Sequence, residues 1–319
     1  MKLADHATYG PSTKLTPTDF RPETIPFMTD SGLSIIVPVY NEYEGLRQTV
    51  SEMEIFLDRG NIEIIIVNDG SDEKTTSILS GLDRDGVAVI NHPVNRGYGA
   101  ALKTGLDKAY YDYVGITDAD GTYPNERFPE FYHAAKENDF DMVVGARQGK
   151  TVYIPWIRKF PKWCIGRLAD YVSRSHIPDL NSGMRVMRKE SVEKYLSILP
   201  DGFSFTSTIT LAMTVNNHAV NFVNIDYHKR KGKSKIRPIH DTLNFIQLIL
   251  RTTIYFDPLR VFVPFGFFLF LAAGIAAFLG ATFLDRIPDV TVAILALGGI
   301  QVVCLGLVAD QINRKFSSR

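Results

Sequence analysis

Two apolar stretches near the C-terminus, Val261–Leu284 and Val290–Ala309, constrain this chain more than any other feature. The first runs for about 24 residues without a charge, and the second for about 20 with Gln301 in its middle. At 1.5 Å of helix rise per residue, each can cross a hydrocarbon core of about 30 Å with some tilt. A buried hairpin in a soluble protein is the alternative, and it would need apolar partners around both helices. Asp285-Arg286-Ile287-Pro288-Asp289 then becomes a tight loop between two spans. Cations gather before the first span, in Lys229–Arg237, and after the second, at Arg314, Lys315 and Arg319. That asymmetry predicts both termini, and the domain ahead of the spans, on the cytoplasmic side.

The remaining length leaves room for one α/β domain of ordinary size in a chain of 319 residues. Lys and Arg total 35, as do Asp and Glu, so overall charge argues for no nucleic-acid partner. The local run Lys229-Arg230-Lys231-Gly232-Lys233-Ser234-Lys235-Ile236-Arg237 abuts the apolar half, which points to anionic headgroups or a lipid phosphate. Two cysteines, Cys164 and Cys304, exclude a disulfide framework, and no Cys/His zinc spacing occurs. Residues 1–32, rich in Thr, Pro and Asp, read as a flexible leader without a signal peptide. Four segments follow from this: the leader 1–32, a domain over 33–236, an amphipathic interfacial helix over 237–260, and a two-helix hairpin with a short tail over 261–319.

Within 33–146 the periodicity switches between short apolar runs and helical spacing. Strands are predicted over Leu33–Val39, Ile62–Val67, Val87–Ile90, Tyr113–Thr117 and Met142–Val144. Helices are predicted over Tyr43–Leu57, Glu73–Leu82, Gly97–Ala109 and Glu126–Asn138. Alternation of this kind predicts an α/β fold, a mostly parallel sheet covered on both faces. Farther on, Gly183–Met187 and Ala219–Tyr227 read as strands, and Val192–Leu199 and Thr206–Asn216 as helices. Thr151–Asn181, which interleaves Trp156, Phe160 and Trp163 with Arg158, Lys159 and Lys162, is either an amphipathic surface helix or a core helix.

Ligands of such sheets sit outside the carboxyl ends of the strands. Polar clusters fall there four times: Tyr40-Asn41-Glu42, Asn68-Asp69-Gly70-Ser71, Asn95-Arg96-Gly97 and Asp118-Ala119-Asp120. Each could be only a turn or a cap, but four on one rim read as a site. Asp118 and Asp120, two apart at a strand end, can share Mg²⁺ or Mn²⁺ with a diphosphate. Gly97-Tyr98-Gly99 opens a helix whose N-terminus favours phosphate, and Lys103, one turn inside, faces either the donor or solvent. The spacing fits neither the ATPase phosphate loop nor the dinucleotide fingerprint.

Ser34–Glu42, Val67–Ser71, Asn95–Ala101 and Asp118–Gly121, in this order and spacing, resemble the family 2 glycosyltransferases of GT-A fold. With two C-terminal spans, the chain is similar to their polyprenyl-phosphate group, that of dolichyl-phosphate mannose synthase. The resemblance implies a Rossmann-like domain that binds a UDP- or GDP-sugar through Pro38, Tyr40, Asn41, Glu42, Asp69 (reading the base), Gly97, Lys103 and Asp118. Asp118 and Asp120 would hold the metal and diphosphate, and Arg147 and Arg185 would stand near the reacting phosphates, making Asp120, Arg147 and Arg185 the catalytic set. Lys229, Arg230, Ser234 and Lys235 would hold the acceptor phosphate. Two departures stand out. Thr122 replaces a frequent Gln, and Lys229 occupies an Arg position, where it cannot form a bidentate clamp.

These roles imply an inverting transfer of a sugar to a membrane polyprenyl phosphate, in the service of an envelope glycan. A lipid monophosphate is already largely ionised near neutrality, its second pKa being about 6, so no general base is required. An acceptor hydroxyl on a glycan or another lipid is the second reading, with Asp179 or Asp201 as the base. A membrane scaffold with a degenerate transferase fold is the third. Polymerisation is disfavoured, since no Gln-x-x-Arg-Trp occurs. Oligomeric state stays open, a homo-oligomer included.

Overall fold

The computed structural model describes residues 32–57, 61–147, 167, 169–171, 173, 175–202, 204–228, 238–283 and 289–317. The leader 1–31, the segment 151–166, the basic run 229–237 and the loop 284–288 lie outside the described residues.

Seven strands form one sheet in the order β3-β2-β1-β4-β6-β5-β7. They are β1 (Leu33–Val39), β2 (Ile62–Asp69), β3 (Val87–His92), β4 (Tyr113–Ile116), β5 (Met142–Arg147), β6 (Arg185–Arg188) and β7 (Val220–Ile225). β1 pairs in parallel with β2 and β4, and β5 with β7. β6 alone runs antiparallel, between β4 and β5. The chain winds outward from β1 through β2 to β3, then returns to place β4 on the other side of β1. The resulting switch point between β1 and β4 is where such sheets open a crevice.

Alternation along the strands supplies two cores. Leu33, Ile35, Val37 and Val39 of β1 face α1 (Leu46–Glu54), α2 (Glu73–Ser80) and α4 (Phe128–Glu137), whose Leu46, Val50, Met53, Leu79, Phe128 and Phe131 are buried with them. Ile36 faces the other side. There α3 (Tyr98–Lys108), α5 (Lys189–Glu193) and α6 (Phe205–Val215) contribute Leu102, Leu106, Val192, Phe205 and Ile209. Each such side chain, fully buried, contributes roughly 1.5–3 kcal/mol of apolar transfer.

Two elements depart from the sequence reading. Residue 43 is irregular and residues 44–45 are turn rather than helix, because Gly45 lies directly against the backbone of Asp120 and the chain enters α1 only past that contact. The helix expected over Val192–Leu199 is the short α5 followed by tight turns, in which Tyr195, Leu196 and Ile198 donate three residues back to Val192, Glu193 and Tyr195. Pro200, next in the chain, disfavours helical geometry at the residue before it.

Three helices complete the chain: α7 (Pro238–Phe256), α8 (Leu259–Phe283) and α9 (Asp289–Ser317). α7 rests on the domain, with Ile249 buried against Leu211 and Ile177, and Phe256 edge-on to Tyr195. Leu259–Phe283 and Asp289–Asn313 are long and apolar enough to cross a membrane. They meet through small residues, for a methyl added to Gly266 would stand 2.5 Å from Val303 Cγ2 and 3.1 Å from the Gly299 carbonyl oxygen. Close backbone approach of this kind is how helices associate where water supplies no apolar driving force.

Candidate active site at the carboxyl edge of the sheet

The strand directions bring the carboxyl ends of β1 to β5 and β7, and the amino end of antiparallel β6, to one edge. Tyr40–Glu42, Asp69–Ser71, Asn95–Gly97, Asp118–Thr122, Arg147 and Asn181–Arg185 all lie there.

The β1 turn is stitched to the β2 turn. Asn41 takes a positive φ of 54°, its N–H donates to Ser71 Oγ at 3.1 Å, and its Oδ1 accepts from the Asp72 N–H at 2.7 Å. Asp72 in turn caps α2 by accepting from the Thr75 N–H at 2.9 Å. Pro38 is buried inside β1, paired with Val67, while Tyr40 is exposed and Glu42 half-buried beside it.

Asp118 and Asp120 follow β4. Tyr98, the first residue of α3, donates its hydroxyl to Asp118 Oδ1 at 3.1 Å. Asp120 Oδ1 accepts from the Thr122 hydroxyl at 2.6 Å and the Thr122 N–H at 3.2 Å. Thr122, standing where the resemblance leads one to expect Gln, is fully buried and orients Asp120 from behind. Two adjacent carboxylates on a strand-end loop are hard oxygen donors suited to Mg²⁺ or Mn²⁺. Among the described residues no group of three or more His, Cys, Asp or Glu gathers into a metal cage. An ion bound by the pair would leave positions open to substrate oxygens and water.

Four groups expected to contact the substrate are engaged within the protein. The Asp69 carboxylate faces inward: Oδ1 and Oδ2 accept from the Arg96 and Gly97 N–H groups at 2.9 and 2.8 Å, and Oδ1 lies 2.7 Å from His92 Nδ1. With only 2% exposure, Asp69 latches the 92–97 loop in this arrangement. The N-terminus of α3 is not an open phosphate cradle, because Ala100 N–H donates to the Asp201 carbonyl at 3.0 Å. Gly97, at φ 105°, is required for that approach, since an added methyl would sit 2.5 Å from the same oxygen. Lys103 belongs to the same clasp, its ammonium 2.7 Å from Asp201 Oδ1. Arg185 is a fully buried strut rather than a contact to reacting phosphates. Its guanidinium donates to the Thr206 carbonyl (3.0 Å), Thr210 Oγ1 (2.9 Å) and the Ser182 carbonyl. Burial holds it down to about 10, still protonated at neutral pH.

Arg147, at the end of β5, forms a fork with Asp179: Nε to Oδ2 at 2.7 Å and Nη2 to Oδ1 at 2.9 Å. It also donates to the Asn181 carbonyl at 3.0 Å and faces the Tyr227 ring. Burial alone would raise the Asp179 carboxyl, but the hydrogen bonds and charge of Arg147 outweigh it and hold the group below the usual carboxylate range. A carboxylate so paired is a poor general base. Asp201, exposed, is likewise held down by its hydrogen bond to Lys103.

The sequence reading did not single out Tyr98 or Tyr123, which form the floor of the Asp118 loop. Tyr123 is buried and its oxygen accepts from the Gly183 N–H at 2.7 Å. Aromatics flanked by glycines or placed just after a carboxylate pair were the available signal. Lys229, Arg230, Ser234 and Lys235 lie outside the described residues, but the residue before them does not: His228 N–H donates to the Thr122 carbonyl at 2.9 Å.

A mostly parallel sheet with its carboxylate pair at the switch-point edge, followed by two helices long and apolar enough to cross a membrane, fits the GT-A class. The profile of "Glycosyl transferase family 2" matches residues 34–196, and that of "GtrB C-terminal hairpin" matches residues 257–314. The chain belongs to glycosyl transferase family 2 and is a glycosyltransferase. A bactoprenol glucosyl transferase of Shigella phage SfX is 29% identical over 299 residues, which is 88% of this chain and 94% of that one. A dolichyl-phosphate hexose transferase of Haloferax volcanii is 29% identical over 211 residues, 66% of this chain and 89% of that one. Among solved structures, the glucosyl-3-phosphoglycerate synthase of Mycobacterium tuberculosis, in complex with Mn²⁺, UDP-glucose and phosphoglyceric acid, superposes with a TM-score of 0.54. It is 17% identical and covers 70% of this chain and 80% of that one, a likeness of fold.

Proposed function

We propose that this chain transfers a hexose from a UDP- or GDP-sugar to a membrane polyprenyl phosphate, with inversion at the anomeric carbon. The observation that carries the reading is the Asp118–Asp120 pair at the β1/β4 crevice of a chain that ends in two spans. The names of the phage and archaeal relatives support the same acceptor class.

In this reading the donor lies across the crevice, its nucleoside against Tyr40–Glu42 and its diphosphate over the Asp118–Thr122 loop. Mg²⁺ or Mn²⁺, held by Asp118 and Asp120, would neutralise charge on the leaving diphosphate. An oxygen of the lipid phosphate attacks the anomeric carbon from the face opposite the nucleotide. The new carbon–oxygen bond forms as the bond to the diphosphate breaks, and the electron pair leaves with the nucleoside diphosphate. The two anions must be brought together, and a basic run follows in sequence after His228, whose N–H bonds the Thr122 carbonyl. Arg147, kept charged and aimed by Asp179, stands on the same edge. Such a reaction needs no protein base, which agrees with the pairing of Asp179 with Arg147 and Asp201 with Lys103. That pairing also weighs against a hydroxyl acceptor. We place the catalytic domain and both termini on the cytoplasmic side, where the cations flank the spans.

The test is a transfer assay with the full chain in detergent, pairing labelled UDP- and GDP-sugars with a short polyprenyl phosphate and Mn²⁺. One donor should give a metal-dependent, solvent-extractable product of inverted configuration, and Asp120→Ala should lower its rate by at least about 10³-fold. Donor hydrolysis without lipid product, or a retained anomer, would overturn the reading.

A further inference from the structure

The Asp118 carboxylate is held between two neighbours that no expectation named. On one side Tyr98 donates its hydroxyl to Oδ1 at 3.1 Å. On the other, the α-carbon of Gly183 presses on the carboxylate: a methyl group added there would stand 2.7 Å from Oδ2 and 2.9 Å from Cγ and Oδ1. Gly183 is itself fixed by its N–H bond to Tyr123 Oη, at 2.7 Å, with Tyr123 buried. We infer that Tyr98, Gly183 and Tyr123 form a clamp that sets the orientation of Asp118 and thereby the affinity of this site for a divalent cation with a nucleoside diphosphate.

The chemistry of the clamp is specific. A hydroxyl that donates to one carboxylate oxygen restricts rotation of the group, as outer partners of metal ligands do elsewhere. Tyr98 holds its hydroxyl in place from the first residue of α3, which fixes the donor relative to the sheet edge. Gly183 acts by absence of a side chain, so the carboxylate fits only against a bare α-carbon. The buried Arg185, two residues further on, bonds the Ser182 carbonyl and pins this loop from below. Two chain segments, 20 and 65 residues away from Asp118 in sequence, therefore meet its carboxylate, with Tyr123 of its own loop holding the second in place, and none of the clamp residues is a metal ligand. They are positioning residues.

The inference rests on the metal-and-diphosphate reading of Asp118 and Asp120, and the experiment separates the two. Free Mn²⁺ is followed by electron paramagnetic resonance as it is titrated into the full chain in detergent, with UDP or GDP present. Wild type and Tyr98→Phe are compared, with Tyr110→Phe, on an exposed ring, as control. Tyr98→Phe should raise the Mn²⁺ Kd about tenfold with little change in Tm, and added Mn²⁺ should restore part of the lost transfer. Gly183→Ala should weaken Mn²⁺ binding further, because its methyl displaces the carboxylate outright. Equal Mn²⁺ affinity in wild type and Tyr98→Phe overturns the clamp alone. A wild type that binds no Mn²⁺ with either nucleotide overturns the site reading and the clamp with it. A fall in Tm with unchanged affinity would make Tyr98 a packing residue and nothing more.

Discussion

The sheet edge and the apolar hairpin are organised on opposite principles. At the edge nearly every named side chain is committed through a directional bond: Asp69 to two backbone N–H groups, Asp120 to Thr122, Arg147 to Asp179. In the hairpin, α8 and α9 meet at glycines, and large residues such as Phe267, Phe268 and Phe278 point outward. Directional bonds hold atoms at chosen positions, whereas close glycine contact only sets how near two helices can come. Damage at the edge should therefore be chemical and local, and damage in the hairpin steric and remote from catalysis.

The largest effect that would test this contrast is at Asp179. Replacement by Asn leaves the half-buried Arg147 without its carboxylate and should cost about 3 kcal/mol in a denaturant or thermal melt. The sign of its pH dependence follows from the depressed carboxyl. Its stabilisation is fully present above about pH 5 and is lost as pH falls through the folded-state value, and Asp179→Asn should flatten that acid limb. An unchanged acid limb would mean the pair carries no stability. Next comes Gly266→Leu, which forces a side chain onto Val303 and the Gly299 carbonyl. It should cost about 1–3 kcal/mol in detergent stability while leaving Mn²⁺ and nucleotide binding intact. Loss of nucleotide binding there would join the two regions that the contrast separates. The smallest effect belongs to Lys103→Met, which breaks an exposed pair with Asp201 and should cost less than about 1 kcal/mol by melting.

Much of the fold could be read from the sequence because short apolar runs and helical spacing each declare a period. β1 to β5 and α1 to α4 all fall where the sequence reading put them, within a few residues. Four edge clusters were legible for a related reason: turn-forming polar residues gather where strands stop. What remained hidden was which polar atoms the protein spends on itself. Lys103 finds Asp201, Arg185 finds Thr206 and Thr210, and Asp69 finds Arg96 across long separations that no local pattern reports. The antiparallel course of β6 was equally hidden, since an apolar run carries no arrow. Tyr98 escaped notice between two glycines because its partner, Asp118, is chosen by the packing of α3 against β1 and β2.

The bond from His228 to the Thr122 carbonyl also works as a measure of length. It anchors one end of a leash whose other end is Pro238, where α7 begins. Ten residue steps reach no more than about 35 Å even when drawn straight. While that bond holds, the carboxylate loop cannot lie farther than that from the helix that leads into the apolar hairpin. In the proposed reaction, reach as much as affinity then governs which lipid headgroups the crevice can meet.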